Sequence, residues 1–452
     1  MKIDIPHYVR GILDRLIDNG YEAYIVGGCI RDILLKKHPE DWDVTTSALP
    51  EEVIKIFNDK TVVNTGEKYG TVTVINGDGK VEVTTFRKEG DYSDGRHPDW
   101  VSFGNNIEDD LRRRDFTVNS MAWNPIKGIV DPFGGEEDIA KGTIRTVGNP
   151  LHRFSEDGLR MMRAVRFASN LNFTIVDETL EAIKYMAASI KNISMERIRE
   201  EFFKIIVGTN PKYGLNLLLD TRLMDFILPE LLITIGFQQN NPYHDMDVFH
   251  HTLCVLEKTP PVLHIRLAAL FHDIGKPYCY TEDEEGIGHF YGHNKKSVQI
   301  AEQILKRLKS PNKLIRKVSI LVEHHMRYYN SNERYEIKKL ICEVGKDNIF
   351  DLLSLQKADA MCKNKEGLID NAHNMEKTVK EIISNNEPLC LQDLAINGED
   401  LMKSGLKPGI DMGKALNELL NMVIKNPELN NKETLLTIAL NKWLSAKCNE
   451  RF

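Results

Sequence analysis

GGCIRDILLKKHPEDWDVTT, residues 27–46, contains the turn, helix and strand from which the fold of this chain is predicted. The apolar run YEAYIV before it predicts a short strand that ends in the Gly27–Gly28 turn. CIRDILLKK has the pattern of a helix, and DWDVTT ends in β-branched residues typical of a second strand. This succession indicates an α/β arrangement for the first part of the chain.

Asp41 and Asp43 are separated by one residue in the second strand. Because alternate side chains of a strand share a face, the two carboxylates are expected to point the same way, with Trp42 opposite. Two close carboxylates repel each other unless a cation lies between them, and hard oxygen ligands suit Mg²⁺. Glu82, in the predicted strand VEVTTF, is a candidate third carboxylate. The alternative is an ordinary acidic pair on the surface.

Gly27 and Gly28 stand between a predicted strand and a predicted helix. Such a turn lets the backbone approach a phosphate, and the helix N-terminus offers N–H groups to it. Arg31 follows in the first turn, where a guanidinium can pair with a phosphate through two hydrogen bonds. A plain tight turn is the alternative. The chain has no GxxxxGK[ST] or GxGxxG motif in this region, which disfavours a P-loop or dinucleotide fold.

Strand patterns are confined to the first third of the chain. Residues 6–18 predict an amphipathic helix, and GTVTVI and VEVTTF predict further strands of the same sheet. From about residue 151 onward, almost every pattern is helical. The predicted boundaries lie near 150, 240 and 370, and the sequence shows no internal repeat.

The composition is that of an ordinary globular protein, with 452 residues, 42% hydrophobic and 28% charged. The net charge of −7 gives no global basic field for nucleic-acid binding, although a local basic patch remains possible. The seven cysteines show no CxxC pair, so free thiols in a reducing compartment are expected. No signal-peptide core or membrane span is predicted, and a cytoplasmic location is expected.

Several motifs in order resemble the polynucleotide-adding nucleotidyltransferases, the family of class II tRNA nucleotidyltransferases and poly(A) polymerases. They are residues 27–46, RRRDFTVNSMAW, DPFGGEEDIAKGTIRTVG and RFSEDGLRMMRAVRFASNLNF, and the resemblance covers roughly residues 20–210. It implies that Asp41 and Asp43 hold two Mg²⁺ ions. A primer 3′-hydroxyl would then attack the α-phosphate of a nucleoside triphosphate and release pyrophosphate, as in two-metal catalysis.

The stretch EDGLRMMRAVR predicts a helix with Asp157, Arg160, Arg163 and Arg166 at a spacing of three along one stripe. A solvated charged face is the alternative. The resemblance places this stripe beside the nucleotide and implies that Asp157 and Arg160 read the pairing edges of cytosine and adenine. It also implies that Arg114 lies near the triphosphate or ribose and that Asp115 supports it.

Residues 86–104, FRKEGDYSDGRHPDWVSFG, resemble the flexible loop of the family, which helps the site change from CTP to ATP. The completeness of this stretch favours addition of the full C, C, A sequence over a CC-only enzyme.

A second set of motifs lies in the later half of the chain: FHHTL, FHDIGKP, FYGHN, LVEHHMRYY and KADAM. Adjacent His and Asp on an apolar helical background resemble the HD phosphohydrolase superfamily. The resemblance implies that His251, His272, Asp273 and Asp359 bind a divalent metal. It further implies that His293 and His325 bind phosphate or a second metal. The implied substrates are 2′,3′-cyclic phosphates or other phosphomonoesters, and a purely structural role is the alternative.

Basic residues gather on one predicted helical region and are opposed only by Glu302. They are Lys295, Lys296, Lys306, Arg307, Lys309, Lys313, Arg316 and Lys317. This is either a solvated face or a contact surface for an RNA backbone. The tail, with its Lys-Pro-Gly turn at 407–409, resembles the C-terminal helical region of HD-bearing family members.

The predicted fold class is α+β: a nucleotidyltransferase head with a mixed sheet, followed by all-helical neck, body, HD and tail regions. The predicted domains are the head 1–150, neck and body 151–240, HD domain 241–370 and tail 371–452. The predicted function is addition of C, C and A to tRNA from CTP and ATP. A-adding, CC-adding and poly(A) polymerase activities are close alternatives. A phosphohydrolase with an RNA-binding, transferase-like head is a more distant alternative, which the intact Asp41/Asp43 and Asp157/Arg160 pairs disfavour.

Overall fold

The computed structural model describes residues 3–66, 70–77, 79–90, 92, 95, 98–241, 245–363 and 367–444. Two compact units divide the chain, Met1–Leu232 and Ile233–Phe452. The predicted division into four domains therefore stays a prediction at its finer boundaries. Among the described residues, no helix has the length and apolar character needed to cross a membrane.

The first unit contains eleven strands and eleven α-helices within its described residues. The strands are β1 Ala23–Val26, β2 Asp43–Thr46, β3 Thr61–Gly66, β4 Thr71–Asn76, β5 Gly79–Thr85, β6 Arg87–Glu89, β7 Val101–Phe103, β8 Ala122–Asn124, β9 Gly128–Val130, β10 Thr143–Ile144 and β11 Thr174–Ile175. The helices are α1 His7–Asp18, α2 Gly28–Leu34, α3 Pro50–Ile56, α4 Ile107–Arg112, α5 Gly135–Lys141, α6 Pro150–Glu156, α7 Leu159–Leu171, α8 Asp177–Met186, α9 Met195–Ile206, α10 Pro211–Asp220 and α11 Met224–Ile227.

Seven of these strands form one mixed sheet, in the order β3-β4-β5-β2-β1-β8-β9. β2 pairs in parallel with β5, and the other neighbours are antiparallel. Because β1 and β2 run in opposite directions, the end of β1 at Val26 lies opposite the start of β2 at Asp43. The glycine turn and the acidic pair are therefore brought to the same edge of the sheet.

The predicted helix over residues 6–18 is confirmed as α1. Its buried residues Val9, Ile12, Leu13 and Leu16 follow helical spacing and join the core that covers the sheet. Burial of each such side chain contributes about 1.5–3 kcal/mol. Trp42 packs into the same core, which anchors the chain immediately between the two aspartates.

Helices dominate the first unit after residue 150, as predicted. The exception is a short parallel ladder in which Thr143 and Ile144 of β10 pair with Thr174 and Ile175 of β11. This ladder ties the chain before α6 to the chain after α7.

The second unit is helical in its described residues apart from one two-stranded hairpin. The helices are α12 Val248–Lys258, α13 Leu263–Phe271, α14 His293–Arg307, α15 Asn312–His324, α16 Arg334–Val344, α17 Ile349–Met361, α18 Leu368–Ser384, α19 Gly398–Lys403, α20 Ile410–Lys425 and α21 Lys432–Ala439. The hairpin strands are β12 Thr281–Glu282 and β13 Gly288–His289. Leu401, Leu419 and Leu435 belong to a separate apolar core within the tail.

The prediction that all cysteines are free thiols was wrong for two of them, because Cys254 and Cys362 form a disulfide. Their 108-residue separation in sequence gives no local signal for pairing. Cys29, Cys279, Cys342 and Cys390 are free, and Cys448 lies outside the described residues.

Candidate active site

A cleft of about 860 Å³ in the first unit contains the glycine turn after β1 and the start of β2. All the predicted transferase residues except Glu82 line this cleft: Gly27, Gly28, Arg31, Asp41, Asp43, Arg114, Asp157, Arg160, Arg163 and Arg166. Residues far apart in sequence are thus gathered into one polar site.

The acidic pair has the alternation that the sequence predicts. Asp41 and Asp43 are exposed and Trp42 is buried, although β2 begins only at Asp43. Desolvation by the cleft walls raises the pKa of the Asp43 carboxyl, and the charges of Glu82 and Asp41 raise it further while Arg114 opposes them. A divalent cation would relieve this repulsion, so the oxygen donors of Asp41 and Asp43 fit Mg²⁺.

Glu82 lies directly beside Asp43, because β5 and β2 pair in parallel with these residues in register. Residues in register on neighbouring strands project from the same face of the sheet. Glu82 is nevertheless not among the side chains that line the cleft. It acts on Asp43 through its charge, and its proposed role as a third catalytic carboxylate stays a prediction.

In the Gly27–Gly28 turn, both conformation and space favour glycine at position 27. Gly27 has φ of 86°, and a Cβ there would lie 3.0 Å from Nη1 of Arg114. Arg31 donates hydrogen bonds to Oδ1 of Asn119 at 2.6 Å and to Oδ1 of Asp32 at 2.8 and 2.9 Å. The turn therefore leaves open space in front of the Arg31 guanidinium, and the hydrogen bonds of Arg31 fix the orientation of that group.

Arg114 and Asp115 are held by different partners. Arg114 donates from Nη2 to Oδ2 of the buried Asp110 at 3.3 Å, a support that the sequence analysis did not identify. Asp115 accepts from Nε of Arg163 at 2.6 Å and from the Phe116 backbone N–H at 2.8 Å. Burial opposes the charge of Asp115, but Arg163 and Arg160 outweigh it and lower the pKa of this carboxyl to about 2.

Asp157 does not lie on the same helix as the arginines, so the prediction of one continuous stripe was wrong at this residue. α6 ends at Glu156 and α7 begins at Leu159, which leaves Asp157 in extended backbone with φ of −151°. Its carboxylate accepts from Nη1 and Nη2 of Arg197 at 3.2 and 2.7 Å. Arg197, on α9, also lines the cleft and was missed by the sequence analysis.

The three arginines predicted at a spacing of three do lie together on α7. Arg160 pairs with Glu156 and also donates to the carbonyl of Arg153 at 3.1 Å. Arg166 pairs with Glu201 at 2.7 Å. With Arg163 bound to Asp115, each guanidinium has a carboxylate partner that fixes its position in the cleft wall.

The predicted flexible loop, residues 86–104, is bounded by a short antiparallel pair of strands, β6 and β7. Tyr92, within it, donates a hydrogen bond to Glu89, and the guanidinium of Arg160 lies 6.0 Å from the centre of the Tyr92 ring. Residues 91, 93, 94, 96 and 97 fall outside the described part of the chain. The role of this loop in nucleotide exchange stays a prediction.

A second polar cluster is buried in the second unit, where the HD motifs predicted it. Nε2 of His251 lies 3.1 Å from Oδ1 of Asp359 and 3.6 Å from Oδ2 of Asp273. Nε2 of His272 lies 3.1 Å from Oδ2 of Asp273. His293 and His325 approach Oδ1 of Asp273 with their Nε2 atoms at 3.3 and 3.6 Å. All six predicted HD residues are therefore brought together.

In three of these imidazoles, Nδ1 faces away from the centre of the cluster and contacts the backbone. Nδ1 of His272, His293 and His325 each contacts a backbone carbonyl, at 2.8, 2.7 and 2.7 Å. Because a carbonyl oxygen only accepts, each Nδ1 carries a proton, and each ring directs its Nε2 atom inward. Burial lowers the pKa of His325 to about 4, which keeps this ring neutral near pH 7.

Two of the inward Nε2 atoms lie close to each other and to the same carboxylate. Nε2 of His293 and Nε2 of His325 are 3.3 Å apart, and both are directed at a carboxylate oxygen of Asp273. Ligand atoms of His251, His272 and Asp273 also converge within 4.8 Å, as do those of Asp273, His293 and His325. Nitrogen and oxygen donors arranged in this way fit a divalent cation.

Two lysines and a tyrosine surround the cluster and were not singled out from the sequence. Nζ of Lys276 lies 2.7 Å from Asp273, and Nζ of Lys363 lies 2.5 Å from Asp359. The hydroxyl of Tyr328 donates to Asp359 at 2.8 Å. These three residues and His293 line a cavity of about 380 Å³ whose other walls include Phe290 and Tyr291. The cluster therefore borders a space large enough for a small substrate.

Comparisons with known families agree with this architecture. Residues 23–145 match the poly A polymerase head domain, and residues 172–233 match the probable RNA and SrmB-binding site of polymerase A. Residues 281–439 match a putative tRNA nucleotidyltransferase domain 2. The head fold and its aspartate-lined cleft define the protein as a nucleotidyltransferase.

Similarity to whole proteins extends over nearly the full chain. The CCA-adding enzyme of Lactobacillus helveticus (strain DPC 4571) is 34% identical over 94% of each chain. The CCA-adding enzyme of Pediococcus pentosaceus is 35% identical over 96% of this chain and 97% of its own. The chain belongs to the family of CCA-adding enzymes.

Solved structures give the same result. The crystal structure of the Bacillus stearothermophilus CCA-adding enzyme in complex with CTP is 29% identical, has a TM-score of 0.74 and covers 98% of each chain. The Thermotoga maritima CCA-adding enzyme complexed with tRNA has a TM-score of 0.59 at 20% identity, over 96% of this chain and 94% of that one. The second likeness is one of fold alone.

Proposed function

We propose that this protein adds C, C and A to the 3′ ends of tRNA, using CTP and ATP. The observation that carries the proposal is a single cleft in which Asp41 and Asp43 occur together with Asp157 and Arg160. The full-length similarity to CCA-adding enzymes supports this specificity over A-adding, CC-adding or poly(A) polymerase activity.

Asp41 and Asp43 would hold Mg²⁺ in the cleft. When bound, Mg²⁺ supplies the positive charge that favours attack by a 3′-hydroxyl on the α-phosphate and departure of pyrophosphate. The chain itself contributes position: the Gly27 turn gives the phosphates room, and Arg31 and Arg114 provide donors toward them. Fixed donors in a preformed cleft stabilise developing charge without reorganising.

Selection of the base follows from hydrogen-bond polarity. Cytosine and adenine each present an amino donor beside a ring-nitrogen acceptor, whereas uracil and guanine present the reverse. Asp157 can only accept when ionised and Arg160 can only donate, so this pair fits the first two bases and rejects the others. Arg197 and the Leu159 backbone N–H hold the Asp157 carboxylate in place, and its remaining lone pairs would accept from the base.

The test of the transferase site is the double change Asp41→Ala/Asp43→Ala. Loss of both carboxylates removes the metal ligands, so nucleotide addition should fall to background while tRNA binding largely survives. Extension of a labelled tRNA and a filter-binding assay measure the two properties. Asp59→Ala, which removes an exposed carboxylate paired with Arg15, is the matched control and should retain addition. A double variant that still extends tRNA would refute the assignment.

We also propose a second, metal-dependent phosphohydrolase activity in the second unit. His251, His272, Asp273 and Asp359 would hold the metal, and His293 and His325 would bind a second metal or the phosphate. A bound divalent ion would supply Lewis-acid activation for phosphoester hydrolysis. Lys276 and Lys363, at the cavity, would bind the phosphoryl group of a 2′,3′-cyclic phosphate or of a phosphomonoester.

His272→Ala or Asp273→Ala should abolish ring opening of a 2′,3′-cyclic phosphate or release of phosphate from a monoester, because each change removes a proposed metal ligand. Addition of C, C and A should persist, and Asp41→Ala/Asp43→Ala should leave the phosphohydrolase unchanged. His264→Ala is the control, since His264 pairs with Asp351 away from the cluster at 2.7 Å. Loss of nucleotide addition from a folded His272→Ala protein would contradict the separation of the two activities.

The exposed lysines on α14 and α15, among them Lys295, Lys306 and Lys313, are proposed to contact the tRNA backbone. We place the protein in the cytoplasm, where its proposed substrates tRNA, CTP and ATP are found.

A further inference from the structure

The Cys254–Cys362 disulfide joins the two helices that carry opposite sides of the HD cluster. Cys254 lies on α12 three residues after His251, and Cys362 caps α17 three residues after Asp359. Residues three apart on a helix lie on the same face, one turn from each other. The disulfide therefore lies one turn beyond the contact between Nε2 of His251 and Oδ1 of Asp359, which are 3.1 Å apart.

The disulfide restricts the spacing of the pair of helices on which this contact depends. α12 packs against α17, and the bond holds the Cα atoms of Cys254 and Cys362 at 6.0 Å. Lys363, the next residue after Cys362, contacts Asp359 at 2.5 Å. A change at the cysteines thus reaches both the ligand Asp359 and the lysine that neutralises it.

We propose that Cys254 and Cys362 form a redox modification site that controls metal affinity at the HD cluster, a proposal that rests on the proposed metal site. Disulfides inside cells are usually catalytic or redox-sensing, and this one lies beside ligands rather than in a catalytic motif. In reduction, a small thiol reductant supplies two electrons and two protons. The S–S bond breaks, two cysteine thiols form, and the reductant becomes a disulfide.

The expected direction of the change in metal affinity follows from the spacing of α12 and α17. With the bond intact, the spacing of His251 and Asp359 is fixed, with Nε2 and Oδ1 3.1 Å apart. After reduction, only packing holds the helices, and part of the metal-binding energy must restore their spacing. Supporting interactions around metal ligands typically contribute about 10- to 100-fold in affinity, so we expect the dissociation constant for Mn²⁺ to rise about tenfold on reduction.

The experiment uses the full chain carrying Asp41→Ala/Asp43→Ala, so that Mn²⁺ binding at the head does not interfere. Mn²⁺ affinity is measured by titration with electron paramagnetic resonance, before and after dithiothreitol, and thiol labelling reports the state of the cysteines. Cys254→Ser/Cys362→Ser should bind Mn²⁺ as weakly as the reduced protein and should not respond to dithiothreitol. Cys279→Ser, another cysteine of the same unit, is the control and should respond as the parent does.

Each outcome decides the proposal. Tighter binding by the oxidised protein, lost on reduction and in the double serine variant, supports it. Equal affinities in the two states overturn the redox control but leave the metal site standing. Absence of Mn²⁺ binding in both states overturns the metal site and the redox control with it. Free thiols at Cys254 and Cys362 under oxidising conditions would overturn the modification site itself.

Discussion

At the scale of single residues, the proposed base selection depends on the Asp157 carboxylate, which is bound by a residue 40 positions away. Asp157 lies between α6 and α7, where its backbone carbonyl accepts from the Arg160 N–H and its Oδ1 accepts from the Leu159 N–H, each at 3.0 Å. Both of its oxygens are bound by Arg197. We therefore expect Arg197 to act as a positioning residue for the Asp157 carboxylate in the proposed base selection.

Asp157→Ala removes an acceptor and leaves the amino group of cytosine or adenine unpaired in a desolvated cleft. A lost partner of this kind costs about 1–3 kcal/mol, or roughly 10- to 100-fold in discrimination. Incorporation of CTP and ATP should fall, and rejection of UTP and GTP should weaken. Arg197→Ala should shift the nucleotide ratio in the same direction, whereas Lys141→Ala, at an exposed cation, should not.

The measurement is single-nucleotide extension with each triphosphate in turn, on primers that await C or A. A uniform loss of rate would indicate a structural defect. Parental nucleotide ratios in Asp157→Ala on both primers would show that the specificity resides elsewhere.

Asp115 gives a prediction about pH. Its pKa is lowered from 3.8 to about 2 by Arg163 and Arg160, against the effect of burial. A lowered folded-state pKa contributes stability that is present above the unfolded value and is lost as pH falls through the folded value. A shift of this size corresponds to roughly 2 kcal/mol.

Asp115→Asn should therefore lower the free energy of unfolding of the first unit by roughly 2 kcal/mol near neutral pH. The difference from the parent should be constant above about pH 5 and shrink toward pH 2. Urea unfolding followed by tryptophan fluorescence measures it, because three of the four tryptophans lie before residue 233. A difference that does not change with pH would contradict an ionised Asp115 as the source.

At the scale of elements, the pairing of α12 with α17 is reinforced by a covalent bond across 108 residues. Closing so long a loop lowers the entropy of the unfolded chain and stabilises the fold by roughly 4 kcal/mol in the chain-entropy model. Reduction should lower the free energy of unfolding of the second unit by about that amount. Denaturation with and without dithiothreitol tests this, and a Cys254→Ser/Cys362→Ser protein as stable as the oxidised parent would contradict it.

Elements also show what the sequence can and cannot predict. Alternation along a strand is a local property, so the shared orientation of Asp41 and Asp43 follows from their spacing alone. The break between α6 and α7 at Asp157 was not predicted, although Asp157 and Gly158 are poor helix formers and give a local signal for it. The partnership of Asp157 with Arg197 depends on the packing of α7 against α9, for which local sequence carries no signal.

The HD cluster also combines residues that the sequence predicts with residues that only the packing of helices reveals. Its six predicted residues come together because each motif carries a recognisable His or Asp, and the motif order matches the family resemblance. Lys363 and the Cys254–Cys362 pair have no such motif, since a lysine or a cysteine alone does not reveal its partner. Their proposed roles depend on the packing of α12 against α17, which local sequence does not predict.

At the scale of the whole molecule, each compact unit carries its own candidate site. The first contains the acidic cleft, and the second contains the buried His-Asp cluster. The residues of one site do not occur among those of the other. This separation is the basis for expecting nucleotide addition and phosphohydrolysis to be lost independently.

Sequencing of tRNA 3′ ends shows directly whether the protein adds C, C and A. The protein is incubated with Mg²⁺, CTP, ATP and a tRNA that lacks its terminal C, C and A. We predict products that end in a single added CCA, with no addition when Asp41 and Asp43 are both alanine. Products that carry only added A, stop after two C residues, or extend into a poly(A) tail would contradict this prediction.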